Sequence, residues 1–232
     1  MGQAGPLVSR IWRQAPYLDC LAEMRAFTSH RQPDTPDEVW LVEHPPVFTL
    51  GLAASPDHVL NAHPIAVVQT DRGGEVTYHG PGQLVVYPLL DLRRRGLYVR
   101  ELVRQLEESL LDLLRGYGLQ QAQRVTGEPG IYLPKPSATS PRSTPTVDAS
   151  ADDWVAAWSK IAALGLKVKN GCCYHGYALN IEMDLSPFDR IHPCGHRGLQ
   201  TIDLATMGIR RPWDEVAQDA LSHLQQRLQT KA

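Results

Sequence analysis

The sequence predicts an α+β fold: one domain over residues 1–232, with a mixed, mostly antiparallel sheet flanked by helices. Three observations carry this. Amphipathic helical stretches bracket a run of apolar, β-branched segments. Those segments do not alternate strictly with helices, as a parallel βαβ sheet demands. Finally, Asn170-Gly171 lies between two strand-like stretches, where that dipeptide signals a tight hairpin.

Taken in order, "YLDCLAEMRAFTSHR" reads as an amphipathic helix with Leu18, Leu21, Met24 and Phe27 on one face and Cys20 as a packing residue. "EVWLVEHPPVFTLG" reads as two short strands broken at Pro45 and Pro46, neither of which can donate to a ladder. "PIAVVQTDR" and "GQLVVYPLLDL" are rich in β-branched and apolar residues and read as buried strands. Between them lies "RGGEVTYHGPG", residues 72 to 82, with four glycines in eleven residues, so its backbone turns tightly or comes close to something. Val99, Leu102, Val103, Leu106, Leu110, Leu113 and Leu114 mark a long helix that Gly116 and Gly118 can stop. "PGIYLP" resumes strand character. Residues 135–153, rich in Pro, Ser, Thr and Asp, read as a flexible surface insertion. "WSKIAALGLKVKNG" and "CCYHGYALNIEM" form the hairpin, and Val216, Ala220, Leu221, Leu224 and Leu228 mark a C-terminal helix.

Composition excludes several function classes. A formal net charge of -2 gives no reason to expect nucleic acid or an anionic membrane as partner. No apolar run approaches the roughly 18 residues that span a bilayer, and the N-terminus lacks the apolar core of a signal peptide. Four cysteines, two of them adjacent, make no disulfide framework, and a reducing, cytoplasmic setting is the simplest reading.

The chemistry is sought in "RIHPCGHRG", residues 190 to 198. Cys194 there is open to three readings: a nucleophile, a metal ligand with His192 and His196, or a buried thiol. The i, i+2 spacing of those three residues can point them to one face. Cys172 and Cys173 point opposite ways on a strand, so at most one could join them in a zinc site. A nucleophilic thiol needs a helper to take its proton. Lys160, in the apolar "SKIAALG", is one candidate, since partial burial lowers a lysine's pKa and lets it accept a proton. His79 and His175 could orient Lys160 or a substrate carbonyl, or simply bond within the core, and His192 and His196 read as structural or exposed. "RRRGLYVR", with Arg93, Arg94, Arg95 and Arg100, is the densest basic cluster, either a docking patch or a solvated face.

"DRGGEVTYHGPGQLVVYPLLDL", "KIAALGLKVKNGCCYHGYALNIEMDLSPFDRIHPCG" and "WLVEHPPVFTLG" together resemble the octanoyltransferases of lipoate biosynthesis, from about Leu18 to Leu204. The resemblance implies a fold like the catalytic domains of biotin and lipoate protein ligases. It implies that Cys194 carries the acyl group and that Lys160 activates it. It further implies that Arg72, Gly73, Gly74, Glu75, Val76, Thr77, Tyr78 and His79, with Ala163, Leu164, Gly165, Gly176, Tyr177 and Ala178, bind substrate. The implied donor is octanoyl-acyl carrier protein. The implied acceptors are lipoyl domains of 2-oxoacid dehydrogenase complexes and the glycine cleavage H protein, with no cofactor and no metal. Residues 135–153 depart from the family, where a short hairpin turn is usual. Two alternatives remain open: an ATP-dependent lipoate or biotin-type ligase, which needs no nucleophilic cysteine, and a non-catalytic zinc-binding protein.

Overall fold

The computed structural model describes residues 7–135 and 151–229. The elements follow in chain order as β1 (Leu7–Trp12), α1 (Tyr17–His30), β2 (Asp37–Val42), β3 (Val47–Leu50), β4 (Ala66–Gln69), β5 (Val76–His79), β6 (Gln83–Asp91), α2 (Leu92–Arg95), α3 (Val99–Gly116), β7 (Gln123–Val125), β8 (Glu128–Pro134), α4 (Ala151–Ala157), β9 (Trp158–Lys169), β10 (Cys172–Asn180), β11 (Gln200–Thr201) and α5 (Trp213–Gln229).

The strands form two sheets. The larger runs β1-β2-β6-β10-β9-β8-β7, with β11 added beside β9, and the smaller is β4-β3-β5. Only β1–β2 and β11–β9 in the large sheet, and β3–β4 in the small one, are parallel. The sheet is therefore mixed and mostly antiparallel, in one domain with its helices, as the sequence predicts. Asn170 and Gly171 both take positive φ, 51° and 75°, and close the β9–β10 hairpin. Pro45 and Pro46 break the chain between β2 and β3, which join different sheets.

α3 and α5 cover one face of the large sheet. Leu102, Leu106, Leu110, Val216, Leu221 and Leu224 meet Val86, Leu90, Ile161 and Leu179 there, all buried. α1 covers the other face through Tyr17, Cys20, Leu21 and Met24, against Val85, Tyr87 and Ala178.

Several expectations need correction. Leu18 is 60 % exposed, because the buried stripe of α1 runs Tyr17, Cys20, Leu21, Met24, Thr28, and Leu18 sits one position off it. β4 is mostly exposed: it is the edge of the small sheet, and β-branched composition marks a strand without saying what covers it. α4 begins inside the segment read as an insertion, whose residues 136–150 lie outside the described residues. β1 has no counterpart in the sequence reading.

The basic cluster is also not a free surface. Asp37, only 1 % exposed, holds Arg31 at 2.5 Å, Arg94 at 2.7 Å and Arg95 at 2.5 Å. Of the four arginines in "RRRGLYVR", Arg93 and Arg100 remain exposed. Among the described residues no helix is long and apolar enough to cross a membrane.

Candidate active site

Lys160 and Cys194 meet. Lys160 Nζ donates to Cys194 Sγ at 2.8 Å, to Tyr132 Oη at 2.9 Å and to the Pro129 carbonyl at 2.8 Å. Three donors and three acceptors satisfy an ammonium completely at a side chain that is 4 % exposed.

A one-residue irregularity in the sheet aims this lysine. Gly130 pairs with Ala163 and Ile131 with Ala162, but Tyr132 pairs with Lys160, so β9 carries one extra residue at Ile161. The shift breaks the strand's alternation between Lys160 and Ala163, both of which line the cavity. It also sets Tyr132 directly across from Lys160. β11 pairs with the start of β9 on the side away from β8, Thr201 opposite Lys160, so that end of β9 is paired on both sides.

Cys194 sits in a tight turn, Pro193–Gly195, with φ 56° and ψ 22°. A left-handed conformation is uncommon for a residue with a Cβ and marks a geometry imposed by its surroundings. The turn is closed by Gly195 N–H to the His192 carbonyl and His196 N–H to the Pro193 carbonyl. His196 is engaged by Glu128 at 2.9 Å and set edge-on to Trp154. Among the described residues no group of three His, Cys, Asp or Glu side chains is arranged to hold a metal ion.

Burial alone pushes the Lys160 amine down, as expected from sequence. The adjoining Cys194 sulfur and Tyr132 hydroxyl outweigh it, and the net effect is upward. Lys160 therefore rests as an ammonium facing sulfur rather than as a free amine, which corrects the sequence expectation. Burial pushes Tyr132 upward as well, so it stays a neutral phenol.

The pair opens into a cavity of about 420 Å³. The Arg72–His79 segment forms one wall, with Gly73, Gly74, Glu75, Val76 and Thr77 all contributing. Ala163, Leu164 and Gly165 of β9 and Gly176, Tyr177 and Ala178 of β10 form another. Tyr78 is the one expected residue that does not reach it. Strand alternation turns it to the far side of β5, against Phe48 and Phe188. Tyr17, Val85, Tyr87, Val99 and Val103 also line it, with Gly127, Glu128, Pro129, Leu166 and His175; apart from His175, left open, the sequence reading did not assign them to a site.

Two glycines have a definite cause. A Cβ on Gly165 would lie 2.7 Å from the Gly73 carbonyl oxygen, and one on Gly176 would lie 2.0 Å from that of Val86. What approaches them is protein backbone rather than a ligand: the glycine-rich segment docks on β9, with Gly73 N–H donating to the Leu166 carbonyl.

The histidines of the cavity do not touch Lys160. His79 Nδ1 meets Gln83 Oε1 at 2.7 Å, and its Nε2 meets Thr49 Oγ1 at 3.4 Å. Burial, with His44 nearby, pushes it down to about 3, so it is neutral. His175, with φ 59°, is tied through Nε2 to Asp71 at 3.0 Å, and burial lowers its pKa too. That hydrogen bond pulls the Asp71 carboxyl far below the usual range. His175 pairs across the hairpin with Leu166, six residues along β9 from Lys160, or roughly 20 Å at strand spacing. Arg72 is buried, donates through Nη2 to the Thr49 carbonyl at 2.7 Å, and keeps Nε without a partner among the described residues.

Tyr132 was legible only as part of the strand "PGIYLP". A tyrosine in the buried middle of a strand does need a partner for its hydroxyl, and that was the available signal.

Residues 16–225 match the family model described as the lipoyl protein ligase A/B catalytic domain. An octanoyltransferase of Paraburkholderia phytofirmans is 53% identical over 214 residues, which are 91% of this chain and 82% of that relative. One from Albidiferax ferrireducens is 51% identical over 206 residues, 87% of this chain and 89% of the relative. Among solved structures, a bipartite lipoate protein ligase of Thermoplasma acidophilum superposes with a TM-score of 0.68 at 15% identity, covering 96% of this chain and 84% of that one. Lipoate-protein ligase A bound with ATP gives 0.66 at 17%, covering 97% and 86%. At such identities these two similarities speak for the fold alone. The half-identical relatives, matched over nearly the whole chain, go further: the chain belongs to the octanoyltransferase family, within the lipoyl protein ligase A/B catalytic domain.

Proposed function

We propose that the protein moves an octanoyl group from octanoyl-acyl carrier protein to a lysine of a lipoyl domain, through a thioester on Cys194. The acceptors are lipoyl domains of 2-oxoacid dehydrogenase complexes and the glycine cleavage H protein. The observation that carries this reading is the 2.8 Å contact between Lys160 Nζ and Cys194 Sγ on the wall of a largely apolar cavity. An ATP-dependent ligase needs no such pair.

The geometry supports two half-reactions. The thiolate is the nucleophilic form of a cysteine, and Lys160 Nζ donates to this sulfur. Cys194 attacks the donor thioester, and Lys160 gives its proton to the departing thiol. The acceptor amine then attacks the acyl-cysteine, and Lys160 takes a proton from its nitrogen as the Cys194 thiolate leaves. Burying the octanoyl tail at about 0.8 kcal/mol per methylene contributes roughly 5 kcal/mol toward holding it.

The test is the intact mass of the protein after mixing with octanoyl-acyl carrier protein and no acceptor. A gain of one octanoyl group, lost on hydroxylamine treatment and absent from Cys194→Ala, is expected. A well-folded protein that gains nothing, yet octanoylates a lipoyl domain with ATP and free octanoate, would sink the thioester route.

A further inference from the structure

The two half-reactions leave one proton without a carrier. In the first, a C–S bond forms to Cys194, the donor's C–S bond breaks, and the departing thiolate takes the Lys160 proton. In the second, the C–N bond forms, the Cys194 C–S bond breaks, and Lys160 recovers a proton from the new amide nitrogen. Lys160 is back to ammonium and Cys194 to thiolate only if the acceptor arrives as a neutral amine. A lysine side chain titrates near 10.4, so only about one in a thousand is neutral near physiological pH. The net reaction, thioester plus ammonium to amide plus thiol, releases one proton that Lys160 cannot take.

A histidine–carboxylate pair lies beside the nucleophile. His58 Nδ1 meets Glu75 Oε2 at 2.9 Å. A Cβ on Gly195, the residue after the nucleophile, would lie 3.3 Å from His58 Cε1 and 3.5 Å from Glu75 Cδ. The His58 carbonyl accepts from His192 N–H at 2.8 Å, and Val59 bridges to Ile191, so the pair is anchored to the segment leading into Cys194. Glu75 lines the cavity that holds Cys194 and Lys160. The His58 and Glu75 side chains are 26% and 21% exposed, within reach of an incoming protein side chain. With Nδ1 donating to a carboxylate, His58 Nε2 carries the lone pair, and it makes no hydrogen bond among the described residues. Of the other bases, all three Lys160 donors are engaged, both His79 nitrogens are bonded, His196 is held by Glu128 at 2.9 Å, and His175 lies roughly 20 Å along β9; His192 stands beside His58, its ring 6.0 Å away, and does not line the cavity.

Resting on the acyl-enzyme reading above, we propose that Glu75 and His58 receive the acceptor lysine: the carboxylate holds its ammonium, and His58 Nε2 takes the proton and passes it to water before the amine attacks. Sequence reasoning placed Glu75 in a substrate-binding block and did not single out His58.

The experiment isolates octanoyl-enzyme from the unaltered protein, Glu75→Gln and His58→Gln, and follows its loss to two nucleophiles. One is a lipoyl domain with a free lysine; the other is hydroxylamine, already neutral at the working pH. The adduct should still form in His58→Gln; Glu75→Gln, on the cavity wall, is read from the ratio of its two release rates. Transfer to the lipoyl domain should fall about 10²-fold, as expected for losing a general base, with hydroxylamine release kept. The variants' transfer should then rise about tenfold per pH unit as the acceptor lysine deprotonates itself. Equal slowing with both nucleophiles, or failure of the adduct to form in His58→Gln, would make the pair a brace for the nucleophile turn and overturn the proposal. Unslowed transfer in both variants would overturn it too. If the unaltered protein forms no adduct, the thioester reading falls first and this inference with it.

Discussion

Acidification should weaken this fold well before its carboxylates protonate. His44 and His79, the latter on β5 of the small sheet, are buried with their rings 5.8 Å apart. Each is held neutral: His44 donates from Nδ1 to the Ala15 carbonyl at 2.7 Å and receives the Tyr87 hydroxyl at Nε2, while Gln83 and Thr49 engage His79. Burial pushes His44 down to about 4 and His79 to about 3. An unfolded histidine titrates near 6.5. Between that value and the folded ones the unfolded chain binds more protons, so stability is complete above about pH 6.5 and falls as pH drops toward 4. At about pH 5 each imidazole has moved some 1.5 pH units into that window, worth about 2 kcal/mol at 1.36 kcal/mol per unit, or about 4 kcal/mol for the two. Glu107 works in the opposite sense at the lower end, because burial raises its carboxyl and favours the protonated form. A loss of 4 kcal/mol is a large fraction of the 5–15 kcal/mol typical of a domain. Urea unfolding at about pH 7.5 and pH 5 measures it through the midpoint at constant slope. An unfolding free energy unchanged between the two would show that these histidines protonate freely in the folded state and refute the reasoning.

Three other outcomes are expected. Asp37→Asn leaves three closely set guanidinium groups without their counter-charge, which should cost about 3–5 kcal/mol and lower the melting temperature by about 10 °C; a shift within 2 °C would show the cluster to be held otherwise. Tyr132→Phe removes one of the three acceptors of the Lys160 ammonium, an uncompensated donor worth about 1–3 kcal/mol, so turnover should fall about 10- to 100-fold with the fold retained; full activity would remove Tyr132 from the site. Charge reversal of Arg93 and Arg100, the exposed members of the basic cluster, should raise the Michaelis constant for the acidic carrier several-fold and flatten its salt dependence; an unchanged constant would rule out docking there.

Local chemistry was readable in the sequence and long-range register was not. Asn170-Gly171, Pro45-Pro46 and the leucine stripe of α3 act within a few residues, and the structure follows them. Lys160 stood out from its apolar setting as one candidate helper for Cys194, and family resemblance made the two a pair, because 34 residues separate them. Tyr132 as their third member depends on one extra residue in β9, which no periodicity displays. The same limit explains β4: composition marks it as a strand, but whether a sheet edge is covered is settled by the rest of the chain. The Asp37 cluster was read as a surface because side-chain direction on α2 depends on where its N-cap, Asp91, turns the helix.

The left-handed backbone at Cys194 has a thermodynamic meaning. A residue with a side chain held at φ 56° carries a strain of about 1–2 kcal/mol that glycine would not. The fold therefore keeps a local instability in exchange for a sulfur aimed at Lys160, and fold stability and turnover pull against each other at that one position. Cys194→Gly relieves that strain but removes one of the three acceptors of the Lys160 ammonium, so it should melt within a few degrees of the unaltered protein while transferring nothing.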